Sequence, residues 1–213
     1  VEKLPSETDL ARQLGVSRVL IRDIFGELES RGYISRKHGK GTVINTRVCR
    51  LSARIDEQIP FTRLIENKGM SACTRLVEEH WTAGEESGLP AEAGALRDGR
   101  PVLAFTRLIS GDGTPLIYNE LFYRGDNLDC GYKTWEGYGE LAPNEFLELF
   151  GRARPTVTLA DIDMCQADGR LSEALDVPEG TPLLLLSDVR YDFEGAELAY
   201  GRSFLRRELL PLK

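Results

Sequence analysis

Histidine and cysteine are scarce in this chain, and their spacing excludes the common metal and redox motifs. The 213 residues include two histidines, His38 and His80, and four cysteines. The cysteines are separated by 24, 57 and 35 residues, whereas zinc knuckles and redox dithiols place them only a few residues apart. We therefore expect reduced, buried thiols, with no metal and no cofactor. The cysteines are Cys49, Cys73, Cys130 and Cys165.

Long hydrophobic runs are also absent. No apolar run exceeds four residues, as at 183–186, whereas a helix that spans a bilayer needs about 20. The sequence opens without the charged and then apolar segment of a secretory leader. Its 41% hydrophobic and 29% charged residues are typical of a globular protein. These features predict a soluble cytoplasmic protein that does not interact with membranes.

Positive charge is concentrated at the start of the chain. Residues 1–50 contain ten Lys or Arg and six Asp or Glu, a balance of +4, whereas residues 51–213 contain 17 and 28, a balance of −11. A uniformly acidic surface repels phosphates, so only the basic segment is expected to meet a polyanion. The charge balance alone leaves this open, because so small an excess also occurs by chance.

The basic segment carries the start and stop signals of two short helices. Pro5 restricts the residue before it to extended conformations, Ser6 is a predicted N-cap, and Asp9 completes a capping box. Gly15 suits the left-handed position that ends a helix, and Ser17 is predicted to cap the next one. The short turn between the two helices predicts a helix-turn-helix.

The second predicted helix has one apolar and one polar side. Its polar side presents Arg18 and Arg22, one turn apart, with Val19 beside them. Two guanidinium groups at this spacing can reach phosphates or guanine edges in one major groove, although such pairs are also common on solvated helix faces. The apolar side is predicted to be buried at Leu20, Ile21, Ile24, Phe25 and Leu28.

A short hairpin is predicted after Gly32. Alternating segments at 33–36 and 42–44 flank a tip whose glycines let the backbone approach a groove wall closely. The cations of the tip offer donors to phosphate oxygens, although a basic turn alone is more often simple soluble surface. Its place directly after the helix pair favours a DNA-binding wing. The tip consists of Lys37, His38, Gly39, Lys40 and Gly41.

Several short stretches within residues 4–44 occur in a characteristic order. They are LPSE at 4–7, LGVSR at 14–18, RGYI at 31–34 and HGKGTV at 38–43. Together they resemble the winged helix-turn-helix domain of GntR-family transcriptional regulators. The resemblance implies that Arg18 and Arg22 contact DNA from the recognition helix and that His38 and Gly39 enter the minor groove. The complete predicted DNA-binding set is Ser17, Arg18, Val19, Arg22, Lys37, His38, Gly39 and Lys40.

Two departures from the GntR pattern are visible. The family usually has Arg directly after LPSE, where this chain has Thr8, which predicts one weaker DNA contact and a different operator preference. The family also has a helix before this segment, and the sequence begins at Val1 without a methionine. We therefore expect that first helix to be missing from the sequence.

The acidic remainder is predicted to be an α+β domain. Pro60, Gly69 and weak alternation predict a linker at 47–69, between a winged helix-turn-helix domain at 1–46 and a second domain at 70–213. Turn signals between neighbouring runs predict antiparallel hairpins rather than a doubly wound sheet. The predicted strands are 74–82, 101–110, 115–123, 156–165, 182–191 and 197–204, and the predicted helices are 85–89, 143–150 and 171–175.

Five stretches of this remainder also have a characteristic order and spacing. They are FTRL at 105–108, GTPL at 113–116, NEFLELFG at 144–151, LDVPEGTPLL at 175–184 and YDFEG at 191–195. They resemble the UTRA effector-binding domain of the HutC-like branch of the GntR family. The resemblance implies a six-stranded antiparallel sheet similar to that of chorismate lyase. It also implies a pocket for a small anionic metabolite such as a sugar phosphate, carboxylate or phosphonate.

By position, the UTRA resemblance places Arg107 and Tyr200 in this pocket, with Asn119 or Glu120 on the strand after Arg107. A pocket for an anion in an acidic domain needs a local cation, and a guanidinium supplies it. An interstrand ion pair for Arg107 and a purely structural role for Tyr200 remain the alternatives. Ala199 stands where the family often has Glu, which argues against an amino-sugar phosphate.

Three functions from different classes are compatible with these features: an effector-controlled transcription factor, an enzyme on the lyase-like fold, and a passive DNA-binding protein. The sequence shows no nucleophile beside a base, no metal set and no phosphate loop, so catalysis is disfavoured. A passive protein leaves the acidic domain unexplained. We therefore predict a repressor that binds double-stranded operator DNA as a homodimer and responds to a small metabolite.

Overall fold

The computed structural model describes residues 3–37, 41–46, 60–83, 89–129 and 137–209. The chain divides into two compact units, Val1–Glu57 and Gln58–Lys213. The predicted linker at 47–69 spans this division, and its last part belongs to the second unit, where Ile65 is completely buried. The domain limits given above stay a prediction.

The first unit is a helix-turn-helix followed by a two-stranded hairpin. Its elements are α1 (Glu7–Leu14), α2 (Arg18–Ser30), β1 (Ile34–Lys37) and β2 (Gly41–Ile44). The hydroxyl oxygen of Ser6 accepts the backbone N–H of Asp9 at 3.1 Å and so caps α1. Gly15 ends α1 with a φ of 68°, the left-handed conformation that favours glycine.

The core of the first unit covers a narrower stripe of α2 than the sequence predicts. Ile21 and Phe25 are buried against α1 and β1, but Leu20 and Ile24 are 47% and 43% exposed. At 100° per residue, positions 20 and 24 lie about 120° and 80° around the helix from the line through Ile21 and Phe25. The two neighbouring elements therefore bury only the middle of the apolar side.

The second unit is built on one six-stranded antiparallel sheet. Its strands are β3 (Ala72–Ala83), β4 (Pro101–Gly111), β5 (Thr114–Arg124), β6 (Val157–Gln166), β7 (Pro182–Tyr191) and β8 (Glu197–Arg206). The spatial order is β3-β4-β5-β8-β7-β6, so two three-stranded meanders meet at the central β5–β8 pair. The predicted antiparallel α+β fold is confirmed, and each predicted strand is present with ends shifted by at most two residues.

Helical segments cover both faces of this sheet. The α-helices are α3 (Phe61–Glu66), α4 (Pro143–Phe150) and α5 (Gly169–Leu175). α4 packs on one face, whereas α5 and the 3-10 segment Ala91–Arg97 pack on the other. α4 has its predicted bounds and α5 begins two residues earlier than predicted. The predicted helix at 85–89 lies outside the described residues except for Leu89.

Two of the four cysteines are described, and both are free thiols. Cys165 is half-buried, but Cys73 is exposed because it lies on the edge strand β3, so the expectation of burial is wrong there. Cys49 and Cys130 lie outside the described residues. In the part of the chain that is described, no group of His, Cys, Asp and Glu side chains suits a metal ion. No helix of that part is long and apolar enough to cross a membrane.

Candidate DNA interface and effector site

The first turn of α2 directs its side chains into solvent. Ser17 Oγ accepts the backbone N–H of Leu20 at 3.1 Å and so fixes the start of the helix. Arg18 follows with a side chain that is 70% exposed, and Val19 beside it is also exposed. The predicted contact residues at this helix end therefore form one accessible surface.

Arg18 and Arg22 differ in their local partners. Arg18 Nε lies 3.7 Å from Glu7 Oε2 of α1, a loose ion pair between an exposed arginine and a half-buried glutamate that contributes little to stability. Arg22 is exposed one turn later, and no described carboxylate forms an ion pair with it. Both guanidinium groups can therefore exchange water for phosphate oxygens or base edges at small cost.

The first strand of the hairpin, β1, is linked to α2 by a charged contact between Arg36 and Glu29. Arg36 Nε donates to Glu29 Oε2 at 2.7 Å, and the backbone N–H of Arg36 donates to Glu29 Oε1 at 2.8 Å. Both hydrogen bonds lower the pKa of Glu29, and the bond from the backbone N–H has the larger effect. The predicted wing residues His38, Gly39 and Lys40 and the side chain of Lys37 lie outside the described residues.

The cap at Ser17 gives a stability prediction. Replacing Ser17 with Ala removes the acceptor of the Leu20 N–H, so we expect a loss of about 1 kcal/mol in unfolding free energy, measured by thermal denaturation. Ser30→Ala is the control, because the hydroxyl of Ser30 donates to a Glu27 carbonyl that already accepts the N–H of Arg31. Equal losses in both variants would contradict the capping role.

The four predicted effector residues divide between the two faces of the sheet. Arg107 on β4 lies opposite Asn119 on β5, and Tyr200 on β8 lies opposite Phe122. Side chains alternate along a strand, so Arg107 and Asn119 share one face, whereas Glu120 and Tyr200 lie on the other. The structure therefore does not bring Arg107 and Tyr200 into one pocket.

Arg107 is a buried cation, 3% exposed, whose described hydrogen-bond partners are all neutral. Its Nε and Nη2 donate to Asn119 Oδ1 at 3.0 and 2.6 Å, and its Nη1 donates to the carbonyl oxygen of Leu141. No described carboxylate forms an ion pair with it, so the interstrand ion pair is not found there. Burial lowers the pKa of Arg107, although a guanidinium remains protonated in proteins.

Asn119 is held in its orientation by the neighbouring strand. Its Nδ2 donates to Ser203 Oγ at 2.9 Å and to the carbonyl oxygen of Arg202 at 3.4 Å. Because the amide nitrogen donates to two acceptors on β8, the amide oxygen faces Arg107. Sequence reasoning missed Ser203, because its place depends on the pairing of strands 84 residues apart.

Three further polar residues, Tyr123, Arg190 and Asp188, influence the pKa of Arg107. Arg190 Nη1 donates to Asp188 Oδ1 at 2.7 Å, and its Nε donates to Asn144 Oδ1 of α4 at 3.0 Å. After burial, the groups that act most on the pKa of Arg107 are Tyr123, Arg190 and Asp188. Sequence reasoning missed Asp188 and Arg190 as well. Asp188 neutralises Arg190, and Glu140, which also raises the pKa of Arg107, is exposed to solvent. Arg107 is therefore the cation without a buried counter-charge among these described residues.

The opposite face carries a different charged cluster around Glu120. Its side chain forms ion pairs with Arg170, at 2.5 Å, and with Arg202. The guanidinium of Arg170 lies 5.2 Å from the ring centre of Tyr118. The hydroxyl of Tyr200 forms a hydrogen bond with the side chain of Ser187. Glu120 and Tyr200 therefore have partners within the fold, which for Tyr200 agrees with the structural role given above as the alternative.

A separate cavity of about 440 Å³ lies at one end of the sheet, away from all four predicted effector residues. Its two arginines, Arg100 and Arg124, form ion pairs with Asp98 and Asp126. It therefore presents no uncompensated charge of the kind found at Arg107.

Comparison with known proteins supports this architecture. The model of the bacterial regulatory proteins of the gntR family matches residues 2–44, and that of the UTRA domain matches residues 85–209. The HTH-type transcriptional repressor NagR of Bacillus subtilis is 22% identical, with 95% of this chain and 81% of NagR covered. The HTH-type transcriptional repressor PhnF of Mycolicibacterium smegmatis is 25% identical, with 96% of this chain and 80% of PhnF covered.

Solved structures show the same fold. The crystal structure of PhnF from Mycobacterium smegmatis matches with a TM-score of 0.62 at 23% identity and covers 98% of this chain and 89% of that one. The possible transcriptional regulator YydK of Bacillus subtilis matches with a TM-score of 0.72 at 19% identity, covering 98% and 87%. With a helix-turn-helix unit and a UTRA sheet, the chain belongs to the HutC-type branch of the GntR family and is a DNA-binding transcriptional regulator, not an enzyme.

Proposed function

We propose that this regulator is a cytoplasmic, homodimeric repressor whose affinity for operator DNA changes when an anionic metabolite binds beside Arg107. The observation that carries the proposal is the buried guanidinium of Arg107, whose partners among the described residues are neutral. A buried cation without a counter-charge is costly, and a bound anion removes that cost.

The geometry of Arg107 supports recognition of a carboxylate or phosphate. A guanidinium has five N–H donors, and three of them donate to Asn119 and Leu141. No described residue accepts from the other two, and they belong to a planar group that suits two parallel hydrogen bonds to one carboxylate or phosphate. Glu120 and Tyr200, on the other face, do not belong to this proposed site.

On DNA, we expect two copies of α2 to enter successive major grooves, with half-sites about 10 bp apart. Arg18 and Arg22 then meet base edges and phosphates near the start of each helix. The remaining proposed contacts are Ser17 and Val19 on the helix and Lys37, His38, Gly39 and Lys40 on the wing.

The metabolite can regulate DNA binding only if it prefers one arrangement of the protein over another. Coupling of this kind typically amounts to about 1–3 kcal/mol, which corresponds to about 5- to 150-fold in affinity. Because NagR and PhnF are both named repressors, we expect the metabolite to weaken DNA binding and so relieve repression.

The proposal is tested by selecting binding sites from randomised duplex DNA and then adding a panel of carboxylates, sugar phosphates and phosphonates. We expect one class to raise the melting temperature and to weaken binding to the selected duplex. A ligand at 100 times its dissociation constant adds about 2.7 kcal/mol of stability. Specific DNA binding that no panel member alters, with no thermal shift, would favour the passive DNA-binding alternative.

A further inference from the structure

The hydroxyl group of Tyr123 is buried and lacks a hydrogen-bond partner within the described part of the chain. Tyr123 is completely buried on β5, and its Oη is one of the few polar side-chain atoms left unpaired there. Leaving a buried hydroxyl unpaired is destabilising, so phenylalanine would be the more stable residue at this position. Buried polar groups are normally hydrogen-bonded, so we expect this hydroxyl to have a partner outside the described residues.

Tyr123 lies on the same face of the sheet as Arg107. Alternation along β5 places Asn119 and Tyr123 on one face, and Asn119 is the hydrogen-bond partner of Arg107. The ring centre of Tyr123 lies 4.5 Å from that of Phe146 on α4. The segment that leads into α4 also provides the Leu141 carbonyl to Arg107. The same part of the chain therefore covers both groups.

The electrostatics around Tyr123 favour a neutral donor. Burial raises the pKa of Tyr123 to about 12, against the opposing effect of the positive charges of Arg107 and Arg190. The phenol therefore keeps its proton at physiological pH. Arg190 is neutralised by Asp188, and Glu140, the other carboxylate that raises the pKa of Arg107, is exposed to solvent. Arg107 therefore supplies a net charge of about +1 among the buried groups of this described cluster.

We propose that Tyr123 is the neutral hydrogen-bond donor of the effector site and that the effector is a carboxylate with a nearby hydroxyl or carbonyl oxygen. The carboxylate binds Arg107, and the second oxygen accepts the proton of Tyr123 Oη. This inference rests on the anion site proposed above. One uncompensated cation matches one carboxylate, whereas a phosphate monoester, with a charge of about −1.5 to −2, leaves excess negative charge in a buried site.

Glycerate and propionate test this proposal, because they share a three-carbon carboxylate skeleton and differ only in hydroxyl groups. The full chain is titrated with each at millimolar concentration by calorimetry and thermal shift, with glycerol 3-phosphate as the phosphate probe. The wild type is expected to bind glycerate about fivefold more tightly than propionate, and glycerol 3-phosphate more weakly than glycerate.

Tyr123→Phe is expected to remove the preference for glycerate over propionate. Without any probe, this variant is expected to melt at the wild-type temperature or above it, because its hydroxyl has no described partner to lose. Tyr118→Phe is the matched control. The hydroxyl of Tyr118 forms a hydrogen bond with the side chain of Thr106 on the face of the sheet opposite Arg107. That variant is therefore expected to melt at a lower temperature and to keep the preference for glycerate over propionate.

The possible failures separate the two proposals. If Tyr123→Phe keeps the preference, or melts clearly earlier than the wild type without a probe, Tyr123 is not the donor and the anion site still stands. Tighter binding of glycerol 3-phosphate than of glycerate would overturn the carboxylate assignment alone. If none of the three probes binds the wild type, the assignment of Tyr123 and of the carboxylate is refuted, and the wider panel described above decides whether the anion site at Arg107 stands.

Discussion

Replacing Arg22 with Ala is expected to weaken binding to the selected duplex by about 1–3 kcal/mol without lowering the melting temperature. Arg22 is exposed on α2, and no described carboxylate pairs with it, so its removal leaves the fold intact. Arg18→Ala is expected to have a loss of the same size, because the 3.7 Å contact with Glu7 contributes little. Fluorescence anisotropy at fixed salt concentration measures both affinities.

Arg31→Ala is the matched control for these variants. It removes the same charge from the end of α2, nine residues and about 14 Å beyond Arg22, where Arg31 pairs with Glu27. We expect it to change the DNA affinity much less. Equal losses in all three variants would indicate general attraction to phosphates, and the recognition assignment of Arg18 and Arg22 would then be wrong.

The parts of the fold that follow from local signals could be predicted from the sequence. The bounds of α4 are an example, because Pro143 occupies its first turn and Glu145 accepts the backbone N–H of Ala142 at 3.1 Å. Gly15 is another, since its left-handed conformation ends α1 as predicted. Such signals lie within a few residues of the feature they determine, so one sequence contains them completely.

The membership of the effector site could not be predicted in this way. The resemblance to UTRA domains identified Arg107 and Tyr200 correctly as strand residues, but a shift of one position along a strand moves a side chain to the opposite face. The contact between Asn119 and Ser203 depends on strands that meet only in the folded sheet. That the hydroxyl of Tyr123 lacks a partner among the described residues can be recognised only once those residues are placed in the fold.

The largest expected effect on ligand response comes from Arg107→Lys. A lysine ammonium is not planar and cannot reproduce the bonds to Asn119 and Leu141 together with two parallel bonds to an anion. We expect the anion affinity to fall about 30-fold or more and its effect on DNA binding to disappear. We also expect a lower melting temperature, since three buried hydrogen bonds are lost.

Because Arg107→Lys changes both stability and charge recognition, Asn119→Asp is needed beside it. This nearly isosteric change places a carboxylate at 2.6–3.0 Å from the guanidinium and so supplies the counter-charge that a bound anion would provide. We expect ligand binding to be lost while the sheet remains folded and DNA affinity without ligand is unchanged. Calorimetry, melting curves and DNA binding across a glycerate titration measure all three properties.

The two variants together decide how Arg107 acts. If its uncompensated charge binds the anion, both variants lose the response, although they perturb the sheet differently. If Arg107 only supports the sheet through Asn119 and Leu141, Asn119→Asp retains a full response because the guanidinium stays in place. In that case the loss in Arg107→Lys follows from its lower stability, and the anion must bind elsewhere in the protein.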